Sequence, residues 1–545
     1  MEKICVDKTA SRGIAIAGVL KYAEPDLTPR PDAVSEDMKE IEIQKYIAAK
    51  AAVTEELETL SSQNEIFAAH LEIAGDPAFQ DSVEGKIREE RKNAQMSVYD
   101  TVEEFAALFD AMDDAYMKER AADVRDIGKR FMAKLKNITL PDLGNIRTEK
   151  IIVAKDLYPS DTVKIDPQFI KGILTEEGGI TSHVSILAKS MNIPILVGVS
   201  GIMDKVEENM TVCMDAGKGV VVINPDENVL TEYRDIKEVY EKESERLKSL
   251  RGKPAVTKDG RRILLCANVG NTEDIKNALS WNIDGIGLFR SEFLYMENTH
   301  FPNEEEQFEA YKEAAQLIPR ELTIRTLDIG GDKALSYFEC DKEENPFLGW
   351  RGIRISLDMK DVFKTQLRAI LRASAFGHIR IMFPMIISLR ELRQAKKITQ
   401  ECMDELTLEH IPYDENIEMG MMMETPASVL LAEEFAKEAD FFSIGTNDLT
   451  QYLLAIDRGN KKISDRYDYF HPAVVKAIKH IIYAGHKEGI KVGMCGEMAG
   501  NPDAVNLLLE CGLDEFSMSV SNIDYVREKI LAYSYQDTEN AAKPV

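Results

Sequence analysis

The stretch GGITSHVSILAKS, Gly178 to Ser190, sets two glycines and two hydroxyl residues ahead of His183 and follows it with apolar residues at helical spacing. Thr181 or Ser182 could cap a helix beginning near Val184, and such a helix start offers free N–H groups and positive dipole beside an imidazole. Imidazole, with an ordinary pKa of about 6.5, is largely neutral at neutral pH, so His183 could act as a nucleophile and accept a phosphoryl group. It could equally be a capping or packing residue. No second histidine or cysteine stands nearby at metal-ligand spacing.

A second constellation is spread over the carboxyl half. Arg290, Arg325, Arg351 and Arg458 offer planar fork donors for phosphate and carboxylate oxygens, while Glu424 and Asp448 offer hard oxygen ligands that would suit Mg2+ together with substrate oxygens. Any one of these arginines reads as well as a solvated charge. Four of them with two acids and a cysteine, all at or near strand ends, point to an anionic substrate carrying both phosphate and carboxylate. Cys495, in GMCGEMAG, is flanked by small residues that would let substrate approach the backbone. Its thiol could serve as a general acid, or be a buried and inert packing group.

These residues need a scaffold, and the chain supplies several kinds. GIAIAGVLKYA, IIVAKDL, GILTEEGG and VVVINP read as strands and turns of an α/β domain built from two separated segments. Between them, from about Asp32 to Lys136, a Lys/Glu/Ala-rich region with apolar pairs such as Ile43 and Ile47, or Phe105, Leu108 and Met112, reads as an inserted helical bundle. From Val229 to Leu250 one apolar stripe (Leu230, Tyr233, Ile236, Tyr240, Leu247 and Leu250) predicts a single long helix. Beyond Pro254, eight strand-like segments alternate with helical ones: RRILLCANVG, DGIGLFRSEF, LTIRTLDIGG, HIRIMFPMI, IEMGMMMETP, DFFSIGTND, KVGMCGEMAG and DEFSMS. That pattern predicts a (β/α)8 barrel, whose active sites open at the carboxyl ends of the strands, where Asn268, Asp328, Asn447 and Glu497 also fall.

Composition limits the function. The 545 residues carry a formal net charge of -27, which disfavours nucleic acid as a partner and favours a basic or neutral protein. No run of about 18 apolar residues occurs and the first residues mix charges with short apolar runs, so neither membrane insertion nor a signal peptide is expected, and the location expected is cytoplasmic. Seven scattered cysteines read as reduced thiols.

Taken together, GGITSHVSILAKS, GIGLFRSEFLYM, RTLDIGGDK, ENPFLGWRGIR, METPAS, FFSIGTNDLTQYLLAIDRGN and MCGEMAG resemble, in order and over essentially the whole chain, enzyme I of the phosphoenolpyruvate-dependent sugar phosphotransferase system. The resemblance implies an α/β multidomain fold: a discontinuous phosphohistidine α/β swivelling domain (1–21 and 146–228), an inserted helical subdomain binding the phosphocarrier protein HPr (22–145), a linker helix (229–252) and a phosphoenolpyruvate-binding, dimerising (β/α)8 barrel (253–545). It further implies phosphorylation of His183 from phosphoenolpyruvate, with Arg290, Arg325, Asn447 and Arg458 holding the substrate and Arg351 close by. Glu424 and Asp448 would bind Mg2+, and Cys495 would protonate the enol carbon. HPr and a second copy of the chain are the implied protein partners. The chain departs from the family at Ile180 and Lys189, where arginine is common, at Arg12, where proline is usual, and at Glu72, where Met is frequent. Related enzymes with a similar histidine domain and barrel carry an ATP-binding domain, and no glycine-rich phosphate loop precedes His183 here. A catalytically silent docking protein and a barrel lyase are the other readings; the first leaves intact His183, Glu424, Asp448 and Cys495 unexplained, and the second leaves His183 without a purpose.

Overall fold

Segments such as IIVA and VVVI are apolar at every position, which suits strands covered on both faces. In the computed structural model they lie in one eight-stranded sheet: β1 (Glu2–Cys5), β2 (Thr9–Ser11), β3 (Ile14–Tyr22), β4 (Lys150–Ala154), β5 (Ile170–Thr175), β6 (Ile195–Val197), β7 (Thr211–Asp215) and β8 (Val220–Ile223), in the order β1-β8-β7-β3-β4-β5-β6-β2. The structure describes the chain apart from residues 7, 8, 12, 24, 62–64, 111–114, 142, 163, 180–182, 192, 297, 299, 319, 332–334, 336, 339–342, 461 and 536–545. Two compact units result, Met1–Ser244 and Glu245–Val545.

In the first unit the sheet is buried on both sides. Ile151, Val153, Leu174 and Leu196 enter one core, while Ile152, Ala154, Ile173 and Ile195 enter the other. This is the period-2 alternation of strand side chains. Strands β3 to β6 run parallel, so Tyr22, Ala154, Thr175 and Val197 mark a common edge at their carboxyl ends. Helix His183–Ser190 follows β5 from that edge.

The helical insertion lies in the chain between β3 and β4, with five α-helices among the described residues: Lys39–Ser61, Glu65–Gly75, Pro77–Arg88, Ala94–Asp110 and Ala115–Lys136. They enclose a core of their own that includes Ile43, Tyr46, Val53, Phe67, Phe79, Val98 and Phe131. The expected apolar pairs are only partly right. Ile47 and Leu108 are exposed, because the buried stripe of the first helix runs through Ile43, Tyr46, Ala49, Val53 and Leu57, leaving Ile47 on its flank. Met112 lies outside the described residues. Pro77 opens the third of these helices, where its missing N–H costs nothing, and the Asp76 carboxylate accepts the Ala78 N–H at 2.8 Å. The long helix predicted from its stripe spans Glu227–Lys248, with Tyr233 and Leu247 buried and Val239 exposed.

In the second unit all eight segments expected as strands are strands: β9 (Leu264–Val269), β10 (Gly285–Arg290), β11 (Glu321–Arg325), β12 (Ile379–Phe383), β13 (Glu418–Met423), β14 (Phe441–Ile444), β15 (Lys491–Met494) and β16 (Glu515–Met518). They close into a parallel barrel, β16 pairing with β9.

The amino-terminal end of the barrel lumen is plugged by an ionic cluster. Arg380 is 3% exposed, pairs with Glu321 at 3.1 Å and Glu515 at 3.2 Å, and donates to Thr323 Oγ1 at 2.7 Å, its guanidinium lying 4.5 Å from the Phe441 ring centre. Gly287 makes room for this plug, since a Cβ there would lie 2.6 Å from both Glu515 Oε1 and Ser517 Cβ. Gly287→Ala is therefore expected to destabilise the protein by about 1–3 kcal/mol, the usual cost of overpacking a filled core. Chemical denaturation would show it, and an unchanged midpoint would contradict it.

Candidate active site at the carboxyl ends of the barrel strands

At the other end of the barrel the strand ends deliver charge. Arg290 and Arg325 end β10 and β11, Glu424 directly follows β13, Asn447 and Asp448 open the helix Thr446–Leu454 after β14, and Cys495 directly follows β15. Arg351 comes from the loop preceding helix Ile353–Asp358, yet it is the centre of the cluster. It is 1% exposed, and its guanidinium is held between two carboxylates: Asp448 at 3.1 and 3.0 Å, and Asp328 at 3.2 and 3.4 Å. With Tyr452 Oη at 3.3 Å accepting a further N–H, its five donors are matched by five acceptors within the protein. Burial opposes its charge, Asp328 and Asp448 outweigh burial, and the guanidinium is more basic than usual.

Arg325, also buried, pairs with Asp328 at 2.9 Å and with Glu292, while its Nε has no partner among the described residues. Arg290 Nε is likewise buried and unpartnered, its guanidinium 5.2 Å from the Phe293 ring centre. Half-buried Arg458 makes no side-chain hydrogen bond or ion pair with the described residues; its backbone N–H reaches Gln451 at 3.1 Å. The arginines thus differ in what they have left to give. Arg351 is fully spent inside the protein, whereas Arg290, Arg325 and Arg458 keep donors that an anion could use.

Glu424 is 1% exposed and accepts the Met385 N–H at 2.6 Å. Burial, then the charges of Asp448 and Asp328, push its carboxyl up to about 8. Two carboxylates that repel each other in a dry site form a donor set that a hard divalent cation would relieve. Among the described residues no three His, Cys, Asp or Glu side chains converge as a metal shell. Glu424 and Asp448 would supply two ligands and leave the remaining positions to substrate and water.

Cys495 is 6% exposed and belongs to a buried cluster with Leu288, Met382, Met422 and Phe441, where burial pushes its thiol up to about 11. It remains protonated at neutral pH. Its carbonyl accepts from Asn268 Nδ2 at 2.8 Å, and Asn268 in turn is held by Ser517 at 2.7 Å. The expectation that its small neighbours admit substrate needs correcting at Gly496, where a Cβ would lie 1.9 Å from Thr446 Oγ1. That space lets two strand-end loops touch. Asn447 pairs with Glu497, whose backbone N–H it accepts at 2.9 Å, through the carbonyl of its amide.

Three supporting residues were not singled out from the sequence. Tyr452, four residues after Asp448 on the same helix face, donates to the Phe347 carbonyl and accepts from Arg351. Gln366, fully buried, accepts the Leu327 N–H at 2.8 Å and donates to Ser291 at 3.0 Å, and Ser291 donates to the Arg325 carbonyl at 2.7 Å. A glutamine three residues after Phe363 and one before Leu367, on the apolar face of its helix, was the available signal. Glu292, two residues after Arg290, had none beyond its place at a strand end.

His183 belongs to the other unit, as the first residue of helix His183–Ser190. The helix begins one residue earlier than expected. The candidate caps Thr181 and Ser182, and the departure at Ile180, lie outside the described residues, as do the side chains of His183 and Lys189. In the loop before them Gly178 takes φ +94°, and Ser185 donates to the Gly179 carbonyl at 2.8 Å, which folds the chain back onto the helix.

Comparison with known proteins places this geometry. Three family models match in order: PEP-utilising enzyme, N-terminal (residues 8–120), PEP-utilising enzyme, mobile domain (146–219), and PEP-utilising enzyme, PEP-binding domain (244–535). A phosphoenolpyruvate-protein phosphotransferase of Bacillus sp. (strain S) and one of Geobacillus stearothermophilus are each 45% identical over 96% of this chain and 92% of theirs. That of Bacillus subtilis (strain 168) is 42% identical over 97% of this chain and 95% of its own. Similarity of that degree over nearly the full length, on a barrel with this charge cluster at its mouth, means that the chain belongs to the phosphoenolpyruvate-protein phosphotransferase family, the enzyme I of the phosphotransferase system.

Proposed function

We propose that the chain takes the phosphoryl group of phosphoenolpyruvate onto His183, releases pyruvate, and passes the group to a histidine of the carrier HPr, the first step of sugar uptake by the phosphotransferase system. The carrying observation is the barrel-mouth cluster: two buried carboxylates locked by Arg351, three arginines with donors to spare, and a protonated thiol beside them. The domain boundaries of this reading are 1–21 with 146–228, 22–145, 229–252 and 253–545.

In the mechanism, Arg290, Arg325 and Arg458 bind the phosphate and carboxylate of the substrate, and Asn447 adds an amide donor. Arg351 keeps Asp328 and Asp448 fixed so that the site need not reorganise as charge shifts. Mg2+ held by Glu424 and Asp448 would neutralise phosphate charge. His183 attacks phosphorus in line; the P–O bond to the enol breaks, its electron pair stays on the leaving enolate oxygen, and a P–N bond forms. The Cys495 S–H proton then goes to the terminal carbon, giving the methyl group of pyruvate, and solvent returns a proton to the thiolate. A thiol pushed up to about 11 holds that proton until the strongly basic enolate appears.

His183 must serve the barrel and the carrier in turn, so the helix Glu227–Lys248 is read as the swivel. A covalent clamp between the units that left both half-reactions at normal rate would refute that role. A homodimer through the barrel and a cytoplasmic location, where phosphoenolpyruvate is made, complete the reading. Among the described residues no helix is long and apolar enough to cross a membrane. The test is incubation with Mg2+ and 32P-labelled phosphoenolpyruvate, mapping of the acid-labile label, then addition of HPr. Label on His183 that moves to HPr supports the reading, and no label overturns it.

A further inference from the structure

The insertion leaves the α/β sheet after Tyr22 and returns before Lys150, and Tyr22 lies opposite Ala154 in the register of β3 with β4. The exit at Tyr22 lies at the sheet edge from which the His183 loop departs, whereas Lys150 begins β4 at the opposite edge. A largely buried cluster bridges the insertion and the α/β subdomain near this exit. The Lys129 ammonium, 8% exposed on the last inserted helix, lies 3.3 Å from Asp161 Oδ2 and within 5.7 and 4.8 Å of the ring centres of Tyr22 and Tyr158. Tyr22 donates its hydroxyl proton to Asp161 Oδ1 at 2.7 Å, and the Tyr158 N–H reaches Asp161 Oδ2 at 3.3 Å. Asp161 belongs to the short helix Pro159–Thr162, which packs against the His183–Ser190 helix and against two inserted helices, Glu65–Gly75 and Ala115–Lys136.

A buried ion pair contributes little to net stability compared with apolar packing of similar size; its attested use is to select one arrangement. The two tyrosine faces add cation–π attraction in the same place. We propose that Lys129, Asp161, Tyr22 and Tyr158 form a clasp that fixes the inserted bundle on the phosphohistidine subdomain, so that a carrier docked on the bundle meets His183 in line. This rests on the reading that the bundle docks the carrier. The four are positioning residues for the second half-reaction and idle in the first, which uses His183 and the barrel. Transfer between two histidines needs near-attack distances of about 3–3.5 Å, and a displacement of about 1 Å can cost on the order of a hundredfold.

The test measures both half-reactions on the full chain by rapid quench, for wild type, Lys129→Met, Lys129→Arg and Tyr22→Phe. Expected for Lys129→Met is labelling of His183 from phosphoenolpyruvate within about twofold of wild type, transfer to HPr slower by about tenfold in kcat, and an unchanged KM for HPr. Lys129→Arg should recover most of the transfer rate. A wild-type transfer rate in Lys129→Met, or equal losses in both half-reactions, would overturn the clasp. Should Lys129→Met fail to fold by circular dichroism, Tyr22→Phe, which removes one oxygen, decides: slowed transfer with normal labelling supports the clasp and unchanged transfer overturns it. Absence of label on wild type would instead overturn the function on which the clasp rests.

Discussion

Arg351→Met is expected to slow labelling of His183 from phosphoenolpyruvate by about a thousandfold, although Arg351 has no N–H left for the substrate. Its five donors are met by Asp328, Asp448 and Tyr452, and with Arg325 beside Asp328 the guanidinium lets those two carboxylates share a dry site with Glu424. Removing one partner of a buried pair costs about 3–5 kcal/mol, because the other charge stays behind. At about 1.4 kcal/mol per factor of ten, that penalty on the organised site corresponds to two to four decades in rate. Asp328 would keep Arg325 at 2.9 Å, but Asp448 would lose both guanidinium contacts that fix its two oxygens. Arg351→Lys should recover only part of the loss, since an ammonium lacks the planar fork that reaches both carboxylates. Rapid-quench labelling at saturating substrate and Mg2+ measures it. A methionine variant retaining a tenth of the wild-type rate would show that Arg351 is dispensable to the site.

The barrel and its strand ends were readable because parallel strands covered on both sides write themselves as unbroken apolar runs, and the barrel places chemistry where those runs stop. MGMMMETP and FFSIGTND show both the run and the carboxylate that follows it. The differing duties of the four arginines were not readable. Whether a guanidinium is spent or spare depends on the neighbours that folding brings, and Arg351 meets Asp448 across 97 residues of sequence. Residues that hold other residues left fainter marks. Gln366 betrays itself only as a polar residue on an apolar helix face, and Gly496 reads as room for substrate until Thr446 is found in that room. In the helical insertion the period was right and the phase was not, because Ile47 and Tyr46 are both plausible continuations from Ile43 and only packing chooses between them. The clasp joins residues 22, 129, 158 and 161, which no local pattern links.

The affinity for Mg2+ should rise about fiftyfold between pH 6 and pH 8 and level off above about 9, because the proton and the cation would compete for Glu424. The sign follows from the direction of the shift. Burial and the neighbouring Asp448 and Asp328 raise the folded-state carboxyl from 4.5 to about 8, so between those values the metal-free folded protein holds a proton that the unfolded chain has lost. Its contribution to stability is complete below the unfolded value and is lost as pH rises through the folded one. Metal-free protein should therefore lose stability over that interval, by at most about 1.4 kcal/mol per pH unit. Mg2+ should restore it increasingly above pH 7, since the carboxylate that burial penalises is the form the cation requires. Glu424→Gln should flatten the pH dependence of melting in metal-free protein and abolish the Mg2+-induced rise. Thermal melts at pH 6, 7, 8 and 9, with Mg2+ titrated at each, separate these effects. An Mg2+ affinity that is constant from pH 6 to 8 would mean that the cation does not displace a proton from Glu424.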